Sequence, residues 1–196
     1  MLKYVNTDIV FQEIPDEVTL AINISNCPCH CPGCHSHYLW EDIGLPLDND
    51  AVDDFVVHLS ADITCIAFMG GDSDPRGVNL LAQYIHEEYP QLKVAWYSGR
   101  IRIPSSVRKT DFDYIKVGPY IRHLGPLSKS TTNQRLYRQA DDGTFADITY
   151  RFWRIRSRGE ESTSETSREN SQCHSACRKE ARTSAFGGRP TDGTAF

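Results

Sequence analysis

The apolar residues divide the chain into short β-like runs and two helical stretches. Val18-Thr-Leu-Ala-Ile-Asn-Ile-Ser25 is rich in β-branched residues and predicts a strand. Leu2 to Ile14 alternates apolar positions (Val5, Ile9, Phe11), which predicts a strand or hairpin. Ile63-Thr-Cys-Ile-Ala-Phe-Met69 reads as a buried strand ended by Gly70-Gly71. Leu92-Lys-Val-Ala-Trp-Tyr-Ser98 is another, closed by Gly99, and Phe112-Asp-Tyr-Ile-Lys-Val-Gly118 a further one, followed by Pro119. Phe145 to Ile155 predicts a last strand. Helical spacing appears over Asp50–Leu59 (Val52, Phe55, Val56, Leu59) and from Pro75 to Tyr89 (Val78, Leu81, Ala82, Ile85). Pro75 suits a first helical turn and Pro90 marks the stop. His37-Tyr-Leu-Trp-Glu-Asp42 starts a short helix that Gly44-Leu-Pro46 stops.

Strands alternating with helices predict βαβ units and a parallel sheet, so the fold class is α/β. In such sheets functional groups gather at the C-terminal ends of the strands. Four segments fall at those ends: the loop after Ser25, Gly70-Gly71-Asp72, Ser98-Gly99 and Gly118-Pro119.

Composition changes the picture at one end of the chain. Of the 196 residues 39% are hydrophobic, and from Arg156 to Phe196 the only large apolar residues are Phe186 and Phe196. A segment so poor in apolar surface does not offset the entropy of ordering it. We therefore expect one domain over residues 1–155 and a disordered low-complexity tail over 156–196. The net charge is −5; the tail holds seven basic and six acidic residues, which leaves −6 on the first 155. An acidic domain without a basic stripe argues against nucleic acid as a partner. No apolar run has the length of a membrane span, and the N-terminus lacks a signal-peptide core, so the expectation is a cytoplasmic protein with no membrane partner.

The chemistry is concentrated in Asn26-Cys-Pro-Cys-His-Cys-Pro-Gly-Cys-His35. Cys27, Cys31 and Cys34 have the spacing C-x3-C-x2-C within one loop. In a reducing compartment such density points to metal or catalysis rather than disulfides. Three thiolates can hold three irons of a [4Fe-4S] cubane and leave the fourth open for a substrate or cofactor. The competing reading is a zinc-binding interaction module, since Cys29, His30, His35 and His37 also lie nearby. Zinc knuckles normally use paired C-x2-C elements with a longer loop between them, and the domain has no second pair. Cys29 falls outside the spacing and reads as a bystander. Cys65, in an apolar strand, reads as a core thiol, and Trp40, Trp96 and Trp153 as packing residues. Cys173 and Cys177 lie in the tail and read as accidental neighbours.

The cysteine loop resembles that of the radical S-adenosylmethionine superfamily, and Met69-Gly70-Gly71-Asp72 resembles its Gly-Gly-Glu-type motif, with Asp72 in place of the Glu found in many members. Asn26-Cys-x3-Cys31-Pro-Gly-Cys34-His, Gly70-Gly-Asp-x-Asp-Pro75, Asp113-Tyr-Ile-Lys-Val-Gly-Pro-Tyr120 and Thr132-Asn-Gln-Arg135 together are similar to the activating proteins of anaerobic ribonucleoside-triphosphate reductases. Pro32-Gly33 departs from superfamily members with an aromatic residue before the last cysteine but suits this subgroup. The resemblance runs from about Leu2 to Ile155. It implies an incomplete (β/α) barrel open on one side, a [4Fe-4S] cluster on Cys27, Cys31 and Cys34, and S-adenosylmethionine bound along Gly33, Cys34, His35, Gly70, Gly71 and Asp72. The implied reaction needs the sulfonium of S-adenosylmethionine held against the cluster, where one electron cleaves it. No catalytic side chain beyond the cluster ligands is implied. The implied partners are the large catalytic subunit of the reductase, on which a glycyl radical forms, and an external flavodoxin-like or ferredoxin-like one-electron reductant. Another glycyl-radical enzyme as target stays open. Asn133-Gln134-Arg135 reads either as a polar loop or, on the resemblance, as residues near the site or the partner.

Overall fold

In the computed structural model, which describes residues 1–59 and 63–153, the chain forms one eight-stranded mixed sheet and two α-helices. In chain order these are β1 (Lys3–Val10), β2 (Thr19–Ile24), β3 (Leu45–Pro46), α1 (Asn49–Leu59), β4 (Cys65–Met69), α2 (Pro75–Glu88), β5 (Lys93–Tyr97), β6 (Tyr114–Val117), β7 (Arg135–Gln139) and β8 (Phe145–Asp147). The strand order is β3-β1-β2-β4-β5-β6-β7-β8. The α/β expectation holds. Parallel pairing is confined to the four central strands β2, β4, β5 and β6, while β3, β1, β7 and β8 add antiparallel flanks.

Parallel neighbours need long crossovers, and these differ in kind. The β2-to-β4 connection carries the cysteine loop, β3 and α1; β4 reaches β5 through α2. Between β5 and β6 the chain makes only a 3-10 turn at Lys109–Asp111. The α2 boundary follows from chemistry read earlier: Asp74 caps it by accepting from the Gly77 amide at 2.9 Å, and Pro75 occupies its first turn. The last predicted strand is shorter than expected. It ends at Asp147, because Asp147 accepts from the amide and hydroxyl of Thr149 and the chain turns into a 3-10 segment, Thr149–Phe152.

Alternation along the strands gives the sheet two unlike faces. Leu20, Ile22, Ile24, Ile66, Phe68, Val94, Trp96 and Ile115 meet Val52, Val56, Val78, Leu81, Ala82 and Ile85 of the helices. The other face is narrower in side-chain volume. Ala21, Ala67 and Ala95 lie in register across β2, β4 and β5, and this face packs with Ile14, Tyr114 and Leu136. One row further toward the C-terminal ends, Asn23, Met69, Tyr97 and Lys116 are in register across all four parallel strands. That row forms the floor beneath the strand-end loops. Cys65, as expected, is a fully buried core thiol on the same face. The expectations for residues 156–196, including Cys173 and Cys177, lie outside the described residues.

Candidate iron–sulfur site

The loop after β2 is fixed at both ends before its thiols are placed. Ser25, almost fully buried, donates its hydroxyl to the Ile43 carbonyl, and the amides of Asn26 and Cys27 donate to the carbonyls of Glu41 and Leu39 at 2.9 Å each. The Cys34 amide closes on the Cys31 carbonyl at 3.0 Å, with Pro32 second and Gly33, at φ +81°, third. Pro followed by a residue at positive φ is what a type II turn requires, so Pro32-Gly33 holds Cys31 and Cys34 together. Asn26 and His30 also adopt positive φ, +57° and +41°, which folds the loop back on itself. The His30 ring stacks on Trp40 at 5.1 Å and fixes that outer corner. All four loop cysteines are free thiols, Cys31 buried and Cys27, Cys29 and Cys34 half-buried.

The neighbouring strand end supplies the second component. Gly70 and Gly71 have φ +112° and +83°, and a Cβ there would stand 2.9 Å from the Ile24 carbonyl oxygen and 2.5 Å from Val78 Cγ2. Only glycine meets both demands, on conformation and on space. Trp96 Nε1 donates to the Gly70 carbonyl at 2.7 Å, so this tryptophan, expected only to pack, also holds the turn. Asp72 is fully buried. Its Oδ1 accepts from Ser98 Oγ at 2.6 Å, and its Oδ2 accepts from the Gly99 amide at 2.7 Å and the Cys29 thiol at 3.7 Å. Arg100 adds an ion pair at 3.6 Å and a bond from its guanidinium to the Asp72 carbonyl at 2.8 Å. Through these contacts the carboxylate ties the cysteine loop, the turn after β4 and the loop after β5 together.

Lys116 completes the floor. Its amine donates to the Gly118 carbonyl at 2.8 Å and lies 5.9 Å from the Tyr97 ring centroid. Burial lowers its pKa to about 8, against the opposing charges of Asp72, Cys31, Cys29 and Cys34. A lysine in a predicted buried strand was the one available sequence signal for it. Burial pushes the Cys27 thiol up, and the Asp72 charge adds to this; hydrogen bonds from the amides of Cys29 and His30 pull the other way. Cys29 is pushed up to about 12, first by burial and then by Asp72.

The structure thus gathers Cys27, Cys31, Cys34, Gly70, Gly71 and Asp72 at one end of the parallel strands and adds Cys29, Gly99 and Lys116. Gly33 lies beside Tyr120 and Arg122, and both Gly33 and His35 are exposed. Asn133 donates to the Pro119 carbonyl at 2.9 Å, while Arg135 belongs to β7 and holds the Thr132 and Gln134 carbonyls. This segment buttresses the loop after β6.

Among the described residues no three His, Cys, Asp or Glu side chains converge tightly enough to hold a single metal ion. A cubane asks for a different arrangement, since each thiolate binds its own iron at a separate corner. Three thiols on a turned loop, amide donors at the Cys27 sulfur and a buried ammonium nearby suit such a polynuclear anionic centre. Residues 18–112 match the family model described as 4Fe-4S single cluster domain. The match spans β2 through β5, including the whole cysteine loop, and indicates a 4Fe-4S cluster-binding domain. No curated protein and no solved structure matches the chain. Among the described residues no helix is long and apolar enough to cross a membrane.

Proposed function

We propose that the protein is a radical S-adenosylmethionine activase that generates a glycyl radical on the large subunit of an anaerobic ribonucleoside-triphosphate reductase. The observation that carries this reading is the placement of the C-x3-C-x2-C loop at the end of β2, next to the Gly70-Gly71-Asp72 turn at the end of the adjacent parallel strand. Cys27, Cys31 and Cys34 would hold the cluster, which when bound supplies one electron for cleaving the sulfonium of S-adenosylmethionine. Gly70 and Gly71 let the turn pack close to Ile24 and Val78 at the edge of the site, and Gly33, Cys34 and His35 would line its exposed side. Asp72 keeps the turn in place through Ser98, Gly99 and Arg100.

On this reading the four parallel strands would be the core of an incomplete barrel, whose open side would suit a substrate that is a loop of another protein. An external one-electron reductant completes the reaction. Anaerobic reconstitution with iron and sulfide tests the reading. We expect a brown protein that cleaves S-adenosylmethionine on reduction and, mixed with the reductase subunit, yields a glycyl radical by electron paramagnetic resonance. A colourless protein without cleavage overturns it; cleavage with a radical on a different glycyl-radical enzyme only reassigns the target.

A further inference from the structure

Cys29 is the thiol that the ligand spacing leaves out, yet it points toward the centre of the site. Its sulfur lies 3.7 Å from Asp72 Oδ2, and a Cβ on Gly99 would stand 2.7 Å from it. It therefore fills the gap between the ligand loop and the turns at the ends of β4 and β5. We propose that Cys29 is a displaceable fourth cluster ligand, closing the open iron when S-adenosylmethionine is absent and swinging back to Asp72 when the cofactor binds. This rests on the cluster reading given under Proposed function.

The chain supplies what the exchange needs. Cys29 sits between Cys27 and Cys31, and the positive φ of His30 folds the backbone just after it. A cluster with a fourth thiolate carries one more negative charge, while the proton that the thiol gives up neutralises Asp72; Lys116, whose buried amine uses one of its three N–H donors on the Gly118 carbonyl, supplies a positive charge at the same site. The proton balance is internal. When the S–Fe bond forms, the thiol proton passes to Asp72 Oδ2, its existing acceptor. When the cofactor's amino and carboxylate groups take the iron, the thiolate recovers that proton. No electron moves in either direction.

The consequence is protection, because an iron with no thiolate is the one that oxidation removes first. The test uses the full chain, reconstituted anaerobically and exposed to mild oxidant without S-adenosylmethionine, with iron content and the paramagnetic signal of a three-iron cluster as readouts. Wild type should keep its fourth iron. Cys29→Ala should lose it and show the three-iron signal, Cys29→Ser should fall between, and added S-adenosylmethionine should protect Cys29→Ala by closing the same site. Loss at equal rates in wild type and Cys29→Ala overturns the proposal and leaves the cluster reading standing. Failure of wild type to assemble any cluster overturns both.

Discussion

Both ends of the parallel sheet bury a carboxylate, and the two are handled differently. At the N-terminal end Glu17, whose side chain is 4% exposed, accepts from Thr64 Oγ1 at 2.7 Å, Tyr114 OH at 2.8 Å and Lys93 Nζ at 2.5 Å. Those donors come from the segment before β4 and from β6 and β5, so the carboxylate pins the sheet, and the remaining N–H groups of Lys93 face solvent, its side chain being 42% exposed. At the C-terminal end Asp72 is equally well served, but the groups around it are not spent. Lys116 has spare N–H donors, and Cys27, Cys31 and Cys34 are free thiols. Buried polar groups are normally satisfied, so spare donors and free thiols at a strand end leave capacity for a bound group, which the network around Glu17 does not.

The largest effects that separate the ends should come from the thiols. Replacing Cys27, Cys31 or Cys34 with Ala should abolish [4Fe-4S] assembly, read as loss of bound iron and sulfide and of visible absorption. Chemical unfolding of the apo chain should be nearly unchanged for Cys27 and Cys34, which are only half-buried. A full cluster in any of the three variants would break the ligand assignment.

Glu17 should show the converse, a loss of stability without loss of cluster. Glu17→Ala leaves the Tyr114 hydroxyl without its acceptor and Thr64 with only the Val18 carbonyl at 3.4 Å, and should cost about 2 kcal/mol, measured by urea unfolding. Its pH dependence has a definite sign. Burial, the largest single influence, raises the Glu17 pKa, but hydrogen bonds from Lys93, Thr64 and Tyr114 together hold it below its ordinary value of 4.5. A depressed folded pKa contributes stability above 4.5 that is lost as pH falls through the folded value. Glu17→Gln should flatten the stability profile in that acid window. An unchanged profile would show that this end is not held by its carboxylate.

Lys116 tests the intermediate case. Lys116→Met removes a buried ammonium that burial disfavours, so stability should fall by no more than about 1 kcal/mol. The reduction potential of the assembled cluster should become more negative, because a nearby positive charge no longer favours the reduced form. Redox titration reads this directly. An unmoved potential would place Lys116 with the structural polar groups and weaken the contrast between the two ends.

The elements that carry the site were legible because their signals are local. Gly70-Gly71 ends β4, and Pro75 and Pro90 bracket α2 to within a residue of its observed end. β7 was missed: in Arg135–Gln139 only Leu136 is fully buried, and the strand exists because its backbone pairs with β6, a long-range fact that five mostly polar residues do not announce. Lys116 was visible as a residue but its burial was not, since alternation gives the face and says nothing of what covers it. For Cys29 the spacing rule selected ligands by number, whereas its direction depends on the backbone of His30 and on the missing side chain of Gly99.

The smallest expected effect comes from within the same turn. Asp74 stands two residues after Asp72, is half-buried, and caps α2 while its carboxylate lies 3.7 Å from the N-terminal ammonium. Asp74→Ala should cost about 1 kcal/mol through the lost cap. It should leave cluster content and potential unchanged, because none of its contacts reach the thiols or Lys116. Two aspartates two residues apart would then divide as the two ends of the sheet do. A shift in potential on Asp74→Ala would mean that the start of α2 and the cluster loop are coupled, and the boundary of the site would have to be extended into the helix.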